Sequence, residues 1–210
     1  MRLVLLEASL ETVPKEIAYH SSVIKASRIR RKRADEMLLE DYLHFRAIRK
    51  LERAEKRGRP DIVHRCLLLA LDSQVFDEIY IHTITGKLIR VNVETRLPRT
   101  YERFRGLMEK LFREKRIESG GKVLLEILNV RLEDVVDNAV LLREKGERKR
   151  GVCDMLKNAK TICIGAFPHG DYERETLEAL KGAEQLSLGS RNYTSLYALS
   201  KVLCCLDPPD

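Results

Sequence analysis

The most informative spacing in the chain runs from Phe104 to Phe112. Phe104, Leu107, Met108, Leu111 and Phe112 recur at offsets 0, 3, 4, 7 and 8, which stacks them on one face of a helix, with Thr100 in the N-cap position. Upstream, Leu3 to Ala8 is a continuous apolar run of strand length. A polar stretch with little periodicity follows and includes the basic run SRIRRKR, residues 27–33. From Ala34 to about Arg57, apolar positions at Leu38, Tyr42, Phe45, Ile48 and Leu51 predict a helix that Gly58 and Pro60 stop. A further helix is predicted to begin near Pro60 and to turn Ile62, Val63, Cys66, Leu67 and Ala70 inward.

Period-two alternation in EIYIHTITGKLIRVN predicts a β-hairpin near residues 78–92, turning at Thr85-Gly86. Strand-like runs then recur at 123–128, 138–144, 160–167 and around EQLSLG, and a last helix is expected from about Thr194 to Leu206. Strands alternating with helices predict an α/β fold with a largely parallel sheet. No repeat or low-complexity linker divides the chain, so one domain is expected over residues 1–210, with a helical, basic elaboration around 20–57.

Composition then narrows the partner. With 210 residues and 44% hydrophobic content the chain can bury a full core, and a net charge of +7 favours a polyanion. Aromatic content of 6% with no Trp argues against an open base-stacking platform, so recognition should lean on arginines. The apolar run at the start is too short for a signal sequence, and no segment is long enough to span a bilayer, which predicts a soluble, cytoplasmic protein. Cys66, Cys153, Cys163, Cys204 and Cys205 contain no C-x-x-C and sit mostly in apolar surroundings, so buried, reduced thiols are expected. No histidine has metal-ligand spacing, and no metal is assigned.

Candidate chemistry begins with Arg96, Arg99 and Arg103, which crowd the start of the helix that follows Thr100. Cations oppose the helix dipole there unless an anion joins them. Glu94 and Glu102 are internal candidates, and an external phosphate or carboxylate is the alternative. Two loops also stand out. In IGAFPHGDYE, residues 164–173, a strand runs into a glycine-bearing loop, but Asp171 and Tyr172 occupy the places where a phosphate-binding loop needs Lys and Ser or Thr. In LSLGSRNYTS, residues 186–195, a second loop joins a strand to a helix. Loops at strand ends are where open α/β sheets bind ligands, so the two are expected to form opposite walls of one pocket.

Four segments, RGRPDIVHRCLLLALDS (57–73), VETRLPRTYERFRGLMEKLF (93–112), IGAFPHG (164–170) and LSLGSRNYTSLYALSKV (186–202), together closely resemble the Nep1, or Emg1, family of ribosome biogenesis proteins. The resemblance implies a SPOUT methyltransferase fold with a C-terminal trefoil knot, S-adenosylmethionine as cofactor, and a homodimer. It also implies methylation at N1 of a pseudouridine in small-subunit ribosomal RNA. By the same likeness Arg59, Arg96, Arg99 and Arg103 face RNA, with Arg59 and Asp61 at the reacting base. The cofactor is expected against Leu141, Gly165, Ala166, Phe167, Gly170, Leu188, Tyr193, Thr194 and Ser195, although LGSRNYTS departs from the family's L-S-x-Y-P-L-S-A run.

The residues leave several roles open. Asp61 can orient Arg59, cap the following helix or accept the N1 proton; His64 can complete a local network; and His169 is a conceivable acid or base. The basic runs at 27–33 and 143–150 read as solvated surface or as added RNA affinity. An RNA-binding assembly factor whose methyl transfer is dispensable is the alternative function.

Overall fold

A computed structural model describes residues 1–206. Strand β1 (Arg2–Ala8) leads into helices α1 (Ser21–Arg30), α2 (Asp41–Ile48) and α3 (Pro60–Ser73). The chain then forms β2 (Glu78–Thr83), β3 (Leu88–Val91), α4 (Tyr101–Glu114), β4 (Arg116–Ser119) and β5 (Lys122–Leu128). It continues through β6 (Ala139–Glu147), α5 (Val152–Asn158), β7 (Thr161–Gly165), α6 (Arg174–Ala179), β8 (Glu184–Leu186) and α7 (Ser195–Leu206).

One eight-stranded sheet runs in the order β4-β5-β3-β2-β1-β7-β6-β8. Its character changes at β2. From β2 through β1, β7 and β6 to β8 every pairing is parallel, whereas β2-β3, β3-β5 and β5-β4 are antiparallel. Two tight turns build the antiparallel half: Gly86 takes φ +78°, and Gly120 and Gly121 take +58° and +75° between Ser119 and its partner Lys122. Successive positive φ values are what a two-residue hairpin of right-handed twist requires.

Alternation along the central strands divides the core. Leu3, Leu5, Val140, Leu142, Ile162 and Ile164 pack on the side of α3, α4 and α7, while Val4, Leu6, Leu141 and Cys163 pack on the opposite side with Leu180. Between β1 and α3 the chain builds a satellite core from Val13, Ile17, Val23, Met37, Ala47 and Ile48, among others. This is the basic elaboration, and it departs from the predicted 34–57 helix. Only Asp41–Ile48 is α-helical, flanked by single 3-10 turns at Ala34–Glu36 and Ala54–Lys56. Leu38 is extended instead, bridging to Thr12, with Val13 donating to the Met37 carbonyl at 2.9 Å and Leu39 to the Glu11 carbonyl at 2.9 Å. As a result Leu38 and Ile48 are buried, but Tyr42 and Phe45 face solvent.

α1, α5, α6 and β4 were not legible in the periodicity. The basic run within α1 and after it is only partly solvated: Arg30 donates to Glu109 at 2.7 Å and 2.9 Å, and Lys32 reaches the same carboxylate at 2.5 Å. The expectation of five reduced cysteines is corrected as well. Cys153 on α5 and Cys205 on α7 form a disulfide across 52 residues, because the packing of these two helices brings together positions that sequence spacing keeps apart. Cys66 and Cys163 are buried free thiols, each pushed up to about 12 by burial, and Cys204 is exposed. No helix among the described residues is long and apolar enough to cross a membrane.

Candidate active site

Four elements converge on a cleft of about 830 Å³ at the C-terminal ends of the parallel strands. Leu142 and Ile164 form its floor from β6 and β7, Ile62 contributes from the start of α3, and Leu188 and Ala198 close the far side. The loop after β7 and the loop before α7 are its opposing walls, the arrangement expected from the sequence. Gly165, Phe167, Gly170, Leu188, Tyr193, Thr194 and Ser195 all line it. Leu141 and Ala166 do not. The pleat turns Leu141 to the other face of the sheet and presents Leu142 to the cleft, while Ala166 is fully buried, exchanging backbone hydrogen bonds with Leu6 and Ser9.

Gly165 has a steric reason. A Cβ there would stand 2.9 Å from the Phe167 ring and 3.1 Å from the Tyr172 hydroxyl, so a larger residue would displace the aromatic pair on the wall. Phe167 and Tyr172 meet edge to face at 5.5 Å, and the Tyr172 hydroxyl donates to the Leu142 carbonyl at 2.9 Å. Asp171, the residue that stands in place of a phosphate-loop lysine, accepts two hydrogen bonds from Arg143 at 3.0 Å and 2.7 Å, and Lys145 approaches it at 3.1 Å. The Arg143 hydrogen bonds hold its carboxyl well below the usual range. The basic segment that begins at Arg143 is thus partly a cleft wall and not only solvated surface.

The elaboration reaches the same loop through Lys56. Its ammonium donates to Glu7 at 2.7 Å and to Glu173 at 2.6 Å, and lies 4.8 Å from the centre of the Phe167 ring. Glu7 in turn accepts from the Glu173 backbone N–H at 2.7 Å. None of these three residues was singled out by sequence reasoning, since a lone lysine in a charged segment carries no local signal.

Arg59 occupies the N-cap position of α3 on the cleft rim, with its side chain turned to Asp61 and not to the helix end. Its backbone N–H donates to the Ser9 hydroxyl at 2.7 Å, and its guanidinium grips Asp61 through Nε at 2.7 Å and Nη2 at 2.9 Å. Burial raises the Asp61 carboxyl, but the hydrogen bonds and charge of Arg59 outweigh it and hold the group below its ordinary value. Asp61 is therefore an ionised partner of Arg59 and a weak base. His64, one turn on, shares a hydrogen bond of 2.7 Å with the Pro98 carbonyl and stacks on Phe104 at 4.4 Å, which joins α3 to α4. His169 lines the cleft, but no hydrogen-bond partner fixes its ring among the described residues.

Arg96, Arg99 and Arg103 lie outside the cleft wall. Arg99 pairs with Asp72 at 2.6 Å and 3.0 Å, at the far end of α3. Arg96 and Arg103 are exposed, and no carboxylate among the described residues pairs with either: Glu94 binds Lys122 instead, and Glu102 binds no cation. Two of the three helix-start arginines are thus available to an external anion. Arg65 and Arg191, which sequence reasoning did not select, add positive charge to the cleft itself, while Arg143, from the basic run at 143–150, is engaged by Asp171.

The family model for EMG1/NEP1 methyltransferase matches residues 3–207. The Archaeoglobus fulgidus protein named ribosomal RNA small subunit methyltransferase Nep1 is 53% identical over 205 residues, covering 96% of this chain and 93% of that protein. Its namesake from Saccharolobus solfataricus is 42% identical over 193 residues, covering 89% and 88%. A crystal structure of Archaeoglobus fulgidus Nep1 bound to S-adenosylhomocysteine superposes with a TM-score of 0.94 at 50% identity, covering 98% of this chain and 96% of that one.

Proposed function

Because the chain belongs to the EMG1/NEP1 methyltransferase family, we propose that it transfers a methyl group from S-adenosylmethionine to N1 of a pseudouridine in small-subunit ribosomal RNA, in the course of ribosome biogenesis. The observation that carries this reading is the placement of the Arg59–Asp61 pair on the rim of a glycine-walled cleft with an apolar floor. A volume of about 830 Å³ suits a ligand of nucleoside size. Gly165, Leu142, Leu188 and the loop from Tyr193 to Ser195 supply flat contact and backbone polar groups for the cofactor. When bound there, S-adenosylmethionine supplies an electrophilic sulfonium methyl.

The protein's part is alignment and electrostatics. Asp61 uses Nε and Nη2 of Arg59, and Nη1 has no protein partner among the described residues, so one arm of the guanidinium remains for RNA. N1 of pseudouridine is a weak acid whose lone pair becomes nucleophilic once its proton passes to solvent water. Positive potential from Arg59 and Arg65 lowers its pKa and stabilises the anionic nitrogen. Attack on the methyl carbon forms the N–C bond as the C–S bond breaks, releasing S-adenosylhomocysteine. Arg96 and Arg103 hold the RNA backbone beside the site.

We also infer the SPOUT trefoil knot and a homodimer. The chain leaving β7 crosses β6 and pairs with its far edge as β8, a crossover of the kind a knotted C-terminus needs, and α7 leaves Tyr197 exposed beside the cleft loop. The decisive experiment offers the protein and cofactor a pair of small-subunit hairpins that differ only by pseudouridine or uridine in the loop. Mass mapping should find the methyl group on the pseudouridine hairpin alone, since N1 of uridine is already bonded to its sugar. Equal methylation of both hairpins overturns the N1 assignment. Tight RNA binding with no transfer moves the protein to the assembly-factor alternative.

A further inference from the structure

Tyr42 and Phe45 stand one turn apart on α2, 65% and 60% exposed, although periodicity had turned both inward. They are not stray surface hydrophobics, because cations organise both rings. The Arg49 guanidinium lies 5.8 Å over one face of Phe45, and Arg105 Nη1 donates to the Tyr42 hydroxyl at 3.1 Å. The helix also abuts the cleft rim. Its first N–H, on Asp41, donates to the Gly58 carbonyl at 2.8 Å, and the Asp41 carboxylate stands 3.9 Å from Arg59 Nε. Gly58 has φ +79°, and a Cβ there would meet the Ile48 side chain at 2.5 Å and the Asp41 backbone at 3.0 Å, so the contact between α2 and the Arg59 segment is close and requires glycine.

We propose that Tyr42 and Phe45 form a stacking subsite for an unpaired base flanking the modified nucleotide, an inference that rests on the RNA methyltransferase reading above. Two exposed rings on a helix that also presents Arg46 and Arg49 to solvent suit a nucleotide, whose base stacks while its phosphate meets these two guanidiniums; Arg105, only 17% exposed and facing Glu40, serves to hold the Tyr42 hydroxyl. A second copy docked face to face would set these arginines against their own equivalents. Low overall aromatic content excludes an extended platform, and two rings suffice for one base step. Contact with the Arg59 segment places that step next to the reacting nucleotide.

The test measures binding of the pseudouridine hairpin, and of a fully paired duplex of equal length, to wild-type protein, to the Tyr42→Ala/Phe45→Ala double variant and to Phe45→Trp. The double variant should weaken hairpin binding roughly tenfold or more, leave duplex binding unchanged, and keep the slope of log affinity against log salt, because no phosphate contact is lost. Phe45→Trp should bind the hairpin at least as well as wild type. Unchanged S-adenosylhomocysteine affinity reports that the fold is intact. Hairpin binding that is unaffected in the double variant, or that falls equally with the duplex, overturns the subsite. A loss of sedimentation mass in the double variant assigns the patch to a second copy and overturns it too. If wild-type protein does not bind the hairpin at all, the RNA reading itself fails and the subsite with it.

Discussion

The Lys56 ammonium lies 2.7 Å from the Glu7 carboxylate, and both side chains are only 2% exposed. Glu7 is on β1 and takes φ 45°, whereas Lys56 belongs to the elaboration, so this ion pair fastens the satellite core to the central sheet beside the cleft loop. Removing Lys56 strands the Glu7 charge in a dry interior, whereas removing Glu7 leaves Lys56 its second partner, Glu173. Lys56→Met should cost about 3–5 kcal/mol in denaturant unfolding, and Lys56→Met/Glu7→Gln should recover part of it. Equal stability of Lys56→Met and wild type would show that the pair contributes nothing.

Gly170 sits at φ +103°, and a Cβ on it would stand 3.1 Å from Lys56 Cε. Gly170→Ala therefore strains the loop in its backbone and pushes on the buried lysine at once. S-adenosylhomocysteine affinity measured by calorimetry should fall by about 1–2 kcal/mol, with hairpin binding retained because the arginines lie on other elements. A variant with full cofactor affinity would remove this loop from the cofactor wall.

The three helix-start arginines should no longer behave alike. Arg96→Ala and Arg103→Ala should each weaken hairpin binding by about 1–3 kcal/mol and reduce the salt slope by about 1, with no change in melting temperature. Arg99 is 71% exposed and already engaged by Asp72. Neutralising that partner with Asp72→Asn should free it and tighten RNA binding, which anisotropy at fixed salt will read. Weaker binding in Asp72→Asn would contradict competition between Asp72 and RNA for Arg99.

His44 gives the elaboration a pH dependence. Burial, aided by the charge of Arg30, pushes its ring down to about 4, and its Nδ1 accepts from the Glu40 N–H at 3.1 Å. The unfolded ring takes up a proton below about 6.5, before the folded one does, so stability should decline as pH falls from there to about 4. The loss is on the order of 3 kcal/mol. Glu40 works in the opposite sense, because burial raises its carboxyl and folding then favours its protonated form. The difference between wild type and His44→Asn across pH 4–7 isolates the histidine. Parallel stability curves for the two proteins would exclude it.

Sequence alone determined the elements whose cause is local. Helix α4 follows from five apolar residues in phase, α3 from Pro60 after a glycine, the hairpin at Gly86 from alternation around a turn, and β1 from an unbroken apolar run. The two glycine-bearing loops were also legible as the walls of one pocket, since the strands before them and the helix after the second already fix which end of the sheet they share. Tertiary structure decided the rest, for reasons that are non-local. Strand β6 is apolar at both Leu141 and Leu142 because parallel strands are covered on both faces, so only the register of the sheet selects Leu142 for the cleft. Leu38 is extended because it pairs with Thr12, and the short helix α2 that follows buries His44, Ala47 and Ile48 and leaves Tyr42 and Phe45 to solvent. The Arg99–Asp72, Lys56–Glu7 and Cys153–Cys205 pairs join positions 27, 49 and 52 residues apart, and no spacing rule reaches that far. Which charges are spent inside the molecule and which remain for a ligand is settled only when the chain brings such distant groups into contact.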